Sequence, residues 1–202
     1  MEKNRARIAE KAKEMFKKNG LEDVTMNSLA KEVGMSKSTL YAYFKSKDEV
    51  KNYILWESME VLYTMFKEQL VTCHSARERF FSICNIMVKY KEKYPYNFDL
   101  LVKRLTLEEK EMKEDEALPA LYQVGEDINR LLFNWLGEDM QYTNQTEFSA
   151  KLLCLWGAVY GIITLAENRK DYIQNGLGVP KEEFLASAFE CVYQSIDWKE
   201  GC

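Results

Sequence analysis

The chain has 202 residues, 47% apolar and 30% charged, with only 9 glycines and 3 prolines. This composition is typical of a soluble globular protein long enough to bury a hydrophobic core. No run of about 18 apolar residues occurs, and the charged first residues do not resemble a secretory signal, so we expect no membrane span and a cytoplasmic location. So few chain-breaking residues favour long helices joined by short loops.

The formal net charge of −4 is unevenly distributed along the chain. The first 50 residues carry 11 basic and 8 acidic side chains, a net charge of +3, and the remainder carries −7. A basic head on an acidic body is typical of a nucleic-acid-binding head, although ordinary scatter produces differences of this size too.

The cysteines are widely spaced and include no Cys-x-x-Cys pair. They are Cys73, Cys84, Cys154, Cys191 and Cys202. In a helical intracellular protein such residues are predicted to be small buried apolar side chains, with redox sensing as the alternative.

Helical periodicity starts at the N-terminus. Ile8, Ala12 and Phe16 share one face of a first helix, which Gly20 is predicted to end. Thr25 has the residue type and position of an N-cap for a second helix.

A tight turn and two further helices follow. Gly34 is suited to a turn, and Ser36 is placed to cap a third helix over Lys37–Tyr43. The segment Ser46–Glu49 has capping-box spacing and predicts the start of a long helix that runs to about residue 70.

The remaining two-thirds of the chain predicts five more helices. They cover about residues 75–93, 96–106, 119–136, 145–167 and 180–198. The acidic stretch at 108–116 is interpreted as either a solvated helix end or a mobile loop. The predicted fold is all-α with about nine helices: a helix-turn-helix domain over 1–46 and a larger helical ligand-binding and dimerisation domain over 47–202.

Residues 25–44 have the pattern of a helix-turn-helix. Leu29, Val33, Leu40 and Phe44 can pack the two helices together. The open face then carries Lys37, Ser38, Thr39, Tyr41, Ala42 and Tyr43. Such side chains can hydrogen-bond phosphates and base edges in a major groove, or contact a thymine methyl. The alternative is a helical hairpin with solvated polar residues.

This segment resembles the DNA-binding head of the tetracycline-repressor (TetR/AcrR-type) family of bacterial transcriptional regulators. The resemblance covers about the first quarter of the chain and rests on Thr25, Leu29-Ala30, Val33-Gly34-Met35-Ser36, Thr39-Leu40-Tyr41, Tyr43-Phe44 and Lys45-Ser46-Lys47-Asp48-Glu49. It implies a regulator that is usually a repressor. Such a protein leaves a pseudo-palindromic operator when a small hydrophobic or aromatic ligand binds.

The resemblance also implies roles for individual residues. Thr25 and Lys47 should contact phosphates, residues 36–39 should face the groove or its edge, and Tyr41 and Tyr43 should contact backbone and bases. Ala42 and Ser38 depart from the aromatic residue and the glycine that are frequent in relatives. We therefore do not borrow an operator sequence from any relative.

Two late helices have wide apolar faces, which favours a homodimer built from a four-helix interface over a purely intramolecular core. The candidate interface residues are Phe148, Leu152, Trp156, Val159, Tyr160, Ile163, Phe184, Ala188, Phe189 and Val192. A two-fold dimer would place two DNA-reading heads on a pseudo-palindromic site.

The middle helices are rich in aromatic residues and methionine, which is typical of a pocket for a hydrophobic ligand and equally of a plain core. The candidate pocket residues are Trp56, Met59, Tyr63, Phe66, Phe81, Met87, Tyr90, Tyr122 and Trp135.

A helical enzyme is disfavoured. A di-iron carboxylate bundle needs two Glu-x-x-His motifs, but Val71 precedes the single histidine, His74, at that spacing. No zinc-ligand pattern and no nucleotide-binding glycine motif is present, so we predict no metal and no cofactor. A helical adaptor that binds only protein is the remaining alternative.

Overall fold

The computed structural model describes residues 2–101 and 115–199. Over these ranges the chain forms nine α-helices and no strand, apart from an isolated bridge between Met140 and Trp198. The helices are α1 Glu2–Asn19, α2 Met26–Val33, α3 Lys37–Tyr41, α4 Lys47–Leu70, α5 Ala76–Lys93, α6 Pro95–Leu100, α7 Leu118–Asp139, α8 Gln145–Asn168 and α9 Lys181–Gln194. The predicted all-α fold is confirmed.

The described residues divide into two compact units. The first contains residues 2–61 and 115–126, and the second contains 62–101 and 127–199. The predicted domain boundary after residue 46 stays a prediction, because compactness does not test independent folding.

The predicted caps of the helix-turn-helix are confirmed. The Thr25 hydroxyl accepts a hydrogen bond from the Ser28 amide at 3.1 Å, and Ser28 Oγ accepts one from the Thr25 amide at 3.0 Å. Ser36 Oγ accepts from the Thr39 amide at 3.1 Å. Each bond satisfies a backbone donor that the first helical turn leaves unpaired.

Gly34 ends α2 in the left-handed region, with φ of 72°. A Cβ at this position would meet no heavy atom within 4 Å, so a side chain here costs only backbone strain. We expect Gly34→Ala to lower the free energy of unfolding by about 1–2 kcal/mol. Urea unfolding followed by circular dichroism checks this value.

Gly125 is the matched control, because it lies within α7 and its Cβ would meet only Met59 Cε, at an ordinary 3.6 Å. Gly125→Ala should leave stability unchanged or raise it by about 0.5–1 kcal/mol, since alanine has the better helix propensity. Equal losses in the two variants would contradict the strain argument.

The core of the first unit joins α1 to the helix-turn-helix and to the start of α4. Its buried members are Ile8, Ala9, Ala12, Met26, Leu29, Ala30, Leu40, Phe44, Val50, Tyr53, Ile54 and Ala117. Leu40 and Phe44 are fully buried, as the apolar pattern predicts. Tight packing of these side chains in the core of the first unit therefore fixes the position of α3.

The predicted capping box at Ser46–Glu49 is only half formed. Ser46 Oγ accepts from the Glu49 amide at 3.0 Å, but the Glu49 carboxylate accepts from the Lys45 amide at 2.7 Å instead of from Ser46. The same carboxylate also forms an ion pair with Arg5 at 3.0 Å, and this long-range partner was not visible in the local sequence pattern.

The second unit contains the end of α4, all of α5, α6, α8 and α9, and the second half of α7. Helices α5, α8 and α9 pack against one another, and a bidentate ion pair joins Arg79 of α5 to Asp139 at the end of α7. The Asp139 side chain is 1% exposed, so this pair is almost completely removed from water.

Helix boundaries differ from prediction in several places. Helix α3 ends at Tyr41 instead of Tyr43, and a π-helical turn at Tyr172–Gly176 was not predicted. The predicted helix 96–106 is described only as Pro95–Leu100. Most of the acidic stretch at 108–116 lies outside the described residues.

The predicted end of the last helix near Trp198 is wrong. Helix α9 ends at Gln194, and the following segment turns back along the end of α7. Trp198 stacks on Tyr193 with 5.0 Å between ring centroids and donates its indole N–H to the Tyr193 carbonyl at 2.8 Å. The Lys199 amide donates to Asp139 O at 2.8 Å, so these contacts replace further helical bonds.

Within the described ranges, α8 alone is long and apolar enough to cross a membrane by length and composition. Core helices of globular proteins share these properties, so this is weak evidence for a span. Several of its apolar side chains are buried within the second unit, among them Phe148, Leu155 and Val159. The prediction that no segment spans a membrane stays a prediction.

Candidate nucleic-acid interface

Seven of the nine residues predicted to contact DNA are exposed. They are Thr25, Ser36, Lys37, Ser38, Thr39, Tyr41 and Ala42. Thr25 caps α2, and the other six lie on or beside α3, so the helix-turn-helix brings them to one region of the first unit.

The α3 end of this set carries a cluster of hydroxyl groups. Ser36 Oγ lies 2.9 Å from Ser38 Oγ and 2.7 Å from Thr39 Oγ1. On the same short helix, Lys37 Nζ lies 5.7 Å from the centroid of the Tyr41 ring. Hydroxyls, a cation and an exposed aromatic ring are side chains that contact phosphates, base edges and thymine methyls.

Tyr43 and Lys47 have structural partners that the sequence did not reveal. The Tyr43 hydroxyl accepts from Asn4 Nδ2 at 2.8 Å, and Lys47 Nζ donates to the Leu21 carbonyl at 3.0 Å. An ammonium group has three donors, so Lys47 can keep this bond and still contact a phosphate. The assignment of all nine residues stays a prediction.

The second unit contains a cavity of about 180 Å³ with an apolar lining. Among its lining residues are Phe80 and Ile83 of α5, Leu132 of α7, and Leu152 and Trp156 of α8. None of the nine predicted ligand-contacting residues lines it. Phe66, Met87 and Tyr90 are buried in the second unit, whereas Trp56, Met59 and Tyr122 lie in the first unit. Tyr63, Phe81 and Trp135 of the second unit are half-buried.

The predicted dimer residues divide into two groups. Phe148, Leu152, Val159, Ile163 and Phe189 are buried within the single chain. Trp156, Tyr160, Phe184, Ala188 and Val192 are half-buried. Buried side chains contribute to the intramolecular core, so the exposed remainder of these helices is the surface left for a partner.

Sequence reasoning missed the apolar residues that α8 leaves in solvent. Leu153 is 67% exposed and Leu165 is 54% exposed. Gly157 and Gly161 lie between them at four-residue spacing. A Cβ added at either glycine would meet no heavy atom within 4 Å. The four-residue spacing of positions 153, 157, 161 and 165 is visible in the sequence. The sequence does not show which face of this helix is buried, because the helix is apolar on nearly all sides.

The cysteines differ in their surroundings. Cys84 is buried, and burial raises the pKa of its thiol, which makes it a poor nucleophile. Cys154 and Cys191 are exposed, contrary to the expectation of burial, while Cys73 is half-buried. Among the residues described, no three His, Cys, Asp or Glu side chains come together as metal ligands.

A family model and a known relative each match part of the chain. Residues 8–54 match the family model for bacterial regulatory proteins of the tetR family. An HTH-type transcriptional regulator of Staphylococcus aureus (strain USA300) is 37% identical over 75 residues. The matched stretch covers 37% of this chain and 40% of the length of that relative.

Solved structures match over nearly the whole chain. A TetR/AcrR-family transcriptional regulator from Thermobifida fusca YX-ER1 has a TM-score of 0.64 at 18% identity, over 94% of this chain and 96% of that one. The regulator FadR from Bacillus subtilis, in complex with stearoyl-CoA, has a TM-score of 0.65 at 17% identity, over 93% and 96%. At such identities the likeness shows a shared fold.

The capped helix pair, the left-handed glycine turn and the exposed polar face of α3 define a helix-turn-helix protein. Residues 8–54, which contain this helix-turn-helix, are similar to the tetR family of bacterial regulatory proteins, as the sequence resemblance predicted for this segment.

Proposed function

We propose that this protein is a sequence-specific DNA-binding transcriptional regulator, and that it acts as a repressor. The observation that carries the proposal is the exposed face of α3, which presents hydroxyl groups, Lys37 and Tyr41. The opposite face of this segment is packed into the apolar core of the first unit. A rigid helix that presents short polar groups, a cation and an aromatic ring matches the requirements for reading a major groove.

A gel-shift titration against the DNA upstream of the protein's own gene tests this proposal. It uses non-specific competitor DNA and two salt concentrations. We expect a discrete, competitor-resistant complex whose affinity falls as salt rises, because phosphate contacts release counterions. If no specific complex forms here or in a genome-wide binding selection, the protein-only adaptor becomes the better reading.

Two alanine variants locate the reading face. Lys37→Ala and Tyr41→Ala should each weaken operator binding by about 10- to 100-fold. Lys37→Ala should also lower the salt dependence, by about one unit of slope if this lysine contacts a phosphate. Fluorescence anisotropy with labelled operator measures both effects.

Lys17→Ala is the matched control, since Lys17 is exposed in the last turn of α1 and outside the predicted face. Its affinity should equal that of the unaltered protein, and all three variants should keep the same unfolding midpoint. Unchanged operator affinity in both α3 variants would contradict the assignment of this face. We prefer Tyr41 to Tyr43 here, because Tyr43 also bonds Asn4.

We further propose a homodimer that uses the exposed side of α8. Leu153 and Leu165 flank two glycines whose open surroundings let another helix approach closely. Burying two such leucines from each chain is favourable, at about 25 cal/mol for each Å² of apolar surface removed from water. A two-fold dimer would present two α3 helices to a pseudo-palindromic operator.

The dimer proposal predicts that Leu165→Glu sediments as a monomer, because a buried, unpaired carboxylate opposes association. Leu177→Glu is the matched control: Leu177 is also 54% exposed but lies in the loop after the π-helical turn. This control should remain dimeric in analytical ultracentrifugation. An unchanged sedimentation coefficient for Leu165→Glu would exclude this side of α8 as the interface.

A small hydrophobic or aromatic effector, a cytoplasmic location and the absence of catalysis complete the proposal. The likeness to FadR, whose solved complex holds stearoyl-CoA, supports a fold that can bind a small molecule. The effector must bind the DNA-free and DNA-bound conformations with different affinity, since only such a difference shifts the equilibrium between them.

A further inference from the structure

The cavity in the second unit has a lining that restricts what can bind there. None of the described residues that line it is charged. Asn129 and the indole N–H of Trp156 are the hydrogen-bonding side chains of the lining, and the remaining lining residues are apolar. An anionic ligand bound here would lose hydration and find no cation among the described lining residues, which is unfavourable.

The size of the cavity sets a second restriction. An apolar cavity of about 150 Å³ in another protein stays dry and binds benzene. At about 180 Å³, this cavity therefore has room for a molecule of one or two fused rings.

The position of Asn129 sets a third restriction on the ligand. In the single chain, Asn129 and Leu153 are the exposed members of the described lining, so they lie at its rim, whereas Ile128, Leu132 and Leu155 are buried. A ligand with one uncharged polar group would place its rings among the buried side chains. Its polar group would lie near the Asn129 amide, which can both donate and accept a hydrogen bond.

We propose that this cavity binds a neutral, largely hydrocarbon molecule of one or two fused rings, oriented by a hydrogen bond to Asn129, and that it rejects anionic analogues. The proposal rests on the proposed function only in taking the occupant to be the effector. Binding itself can be measured without DNA.

Calorimetric titration of the full chain with two matched compounds tests the charge restriction. The neutral probe is 1-naphthalenemethanol, and 1-naphthoate is its anionic counterpart on the same ring system. We expect the alcohol to bind at least about tenfold more tightly than the carboxylate, because the carboxylate would lose part of its hydration at the rim and meet no cation among the described lining residues. Equal affinities, tighter binding of the carboxylate, or no binding of the alcohol up to its solubility limit would overturn the proposal.

Two variants test the location of the site. Leu132→Phe adds bulk to the lining and should weaken binding of the alcohol at least tenfold. Asn129→Leu changes an exposed position, so it keeps the proposal testable if Leu132→Phe does not fold. It should reduce the preference for 1-naphthalenemethanol over 1-methylnaphthalene by about fivefold, the effect of one lost hydrogen bond. An unchanged preference would overturn the role of Asn129.

The outcomes also separate this proposal from the proposed function. A protein that binds operator DNA specifically but not the alcohol contradicts the cavity proposal alone. A protein that binds the alcohol with the expected charge preference, yet forms no specific DNA complex, supports the cavity proposal and contradicts the regulator.

Discussion

Arg5→Ala should lower the free energy of unfolding by about 3–5 kcal/mol, because it leaves the buried Glu49 carboxylate without its ionic partner. The Glu49 side chain is 2% exposed and lies 3.0 Å from Arg5. The Arg5 guanidinium also lies 4.5 Å from the centroid of the Phe44 ring, so the substitution removes a cation–π contact as well. Urea unfolding at fixed protein concentration measures the loss.

Arg7→Ala is the matched control, since Arg7 is exposed on the same helix. Its effect should stay within about 0.5 kcal/mol, as is usual for surface substitutions. The double variant Arg5→Met with Glu49→Gln should recover part of the loss, because no uncompensated charge remains and glutamine can still accept from the Lys45 amide. If Arg5→Ala lowers the free energy of unfolding by less than about 1 kcal/mol, the ion pair between Arg5 and Glu49 does not stabilise the first unit.

Arg79→Ala should destabilise the second unit by a similar amount, about 3–5 kcal/mol, for the same physical reason. Arg79 forms a bidentate ion pair with Asp139, whose side chain is 1% exposed, and its guanidinium lies 5.8 Å from the centroid of the Trp135 ring. Loss of the pair should also loosen the end of α7, where Lys199 bonds the Asp139 carbonyl. Urea unfolding monitored by tryptophan fluorescence reports this region.

Arg130→Ala is an informative control because Arg130 also pairs with an aspartate, Asp127, at 3.6 Å, but is 68% exposed. Exposed ion pairs contribute about 0–1 kcal/mol. The two arginines therefore differ in burial and in the closeness of their ion pairs. Equal losses in Arg79→Ala and Arg130→Ala would contradict the argument that desolvation of Asp139 makes its partner indispensable.

The helix-turn-helix was predictable from the sequence because its signals are local. The caps at Thr25 and Ser36 act within three residues, and the left-handed turn at Gly34 needs only the absence of a Cβ. The buried positions of Leu40 and Phe44 follow from short-range helical periodicity. The exposed face of α3 is what remains when those apolar residues are assigned to the core.

Predictions for the chain after the helix-turn-helix were less complete, because they depend on packing between segments that are distant in sequence. Helix α8 is apolar nearly all round, so its sequence could not say which side faces the core and which side carries Leu153 and Leu165 into solvent. The aromatic residues chosen as pocket candidates were selected by type. The cavity instead forms where α5, α7 and α8 leave space between them.

By itself, the sequence determined the all-α class, the helix-turn-helix and the resemblance of residues 8–54 to the tetR family, since these depend on composition, short-range periodicity and capping residues. Only the tertiary structure decided the partners of Arg5 and Arg79, the early end of α9, the open side of α8 and the neutral cavity beside Asn129. The physical reason is sequence separation. Ion pairs that span 44 and 60 residues, and a cavity shared by three helices, arise from chain packing that no local window of sequence specifies.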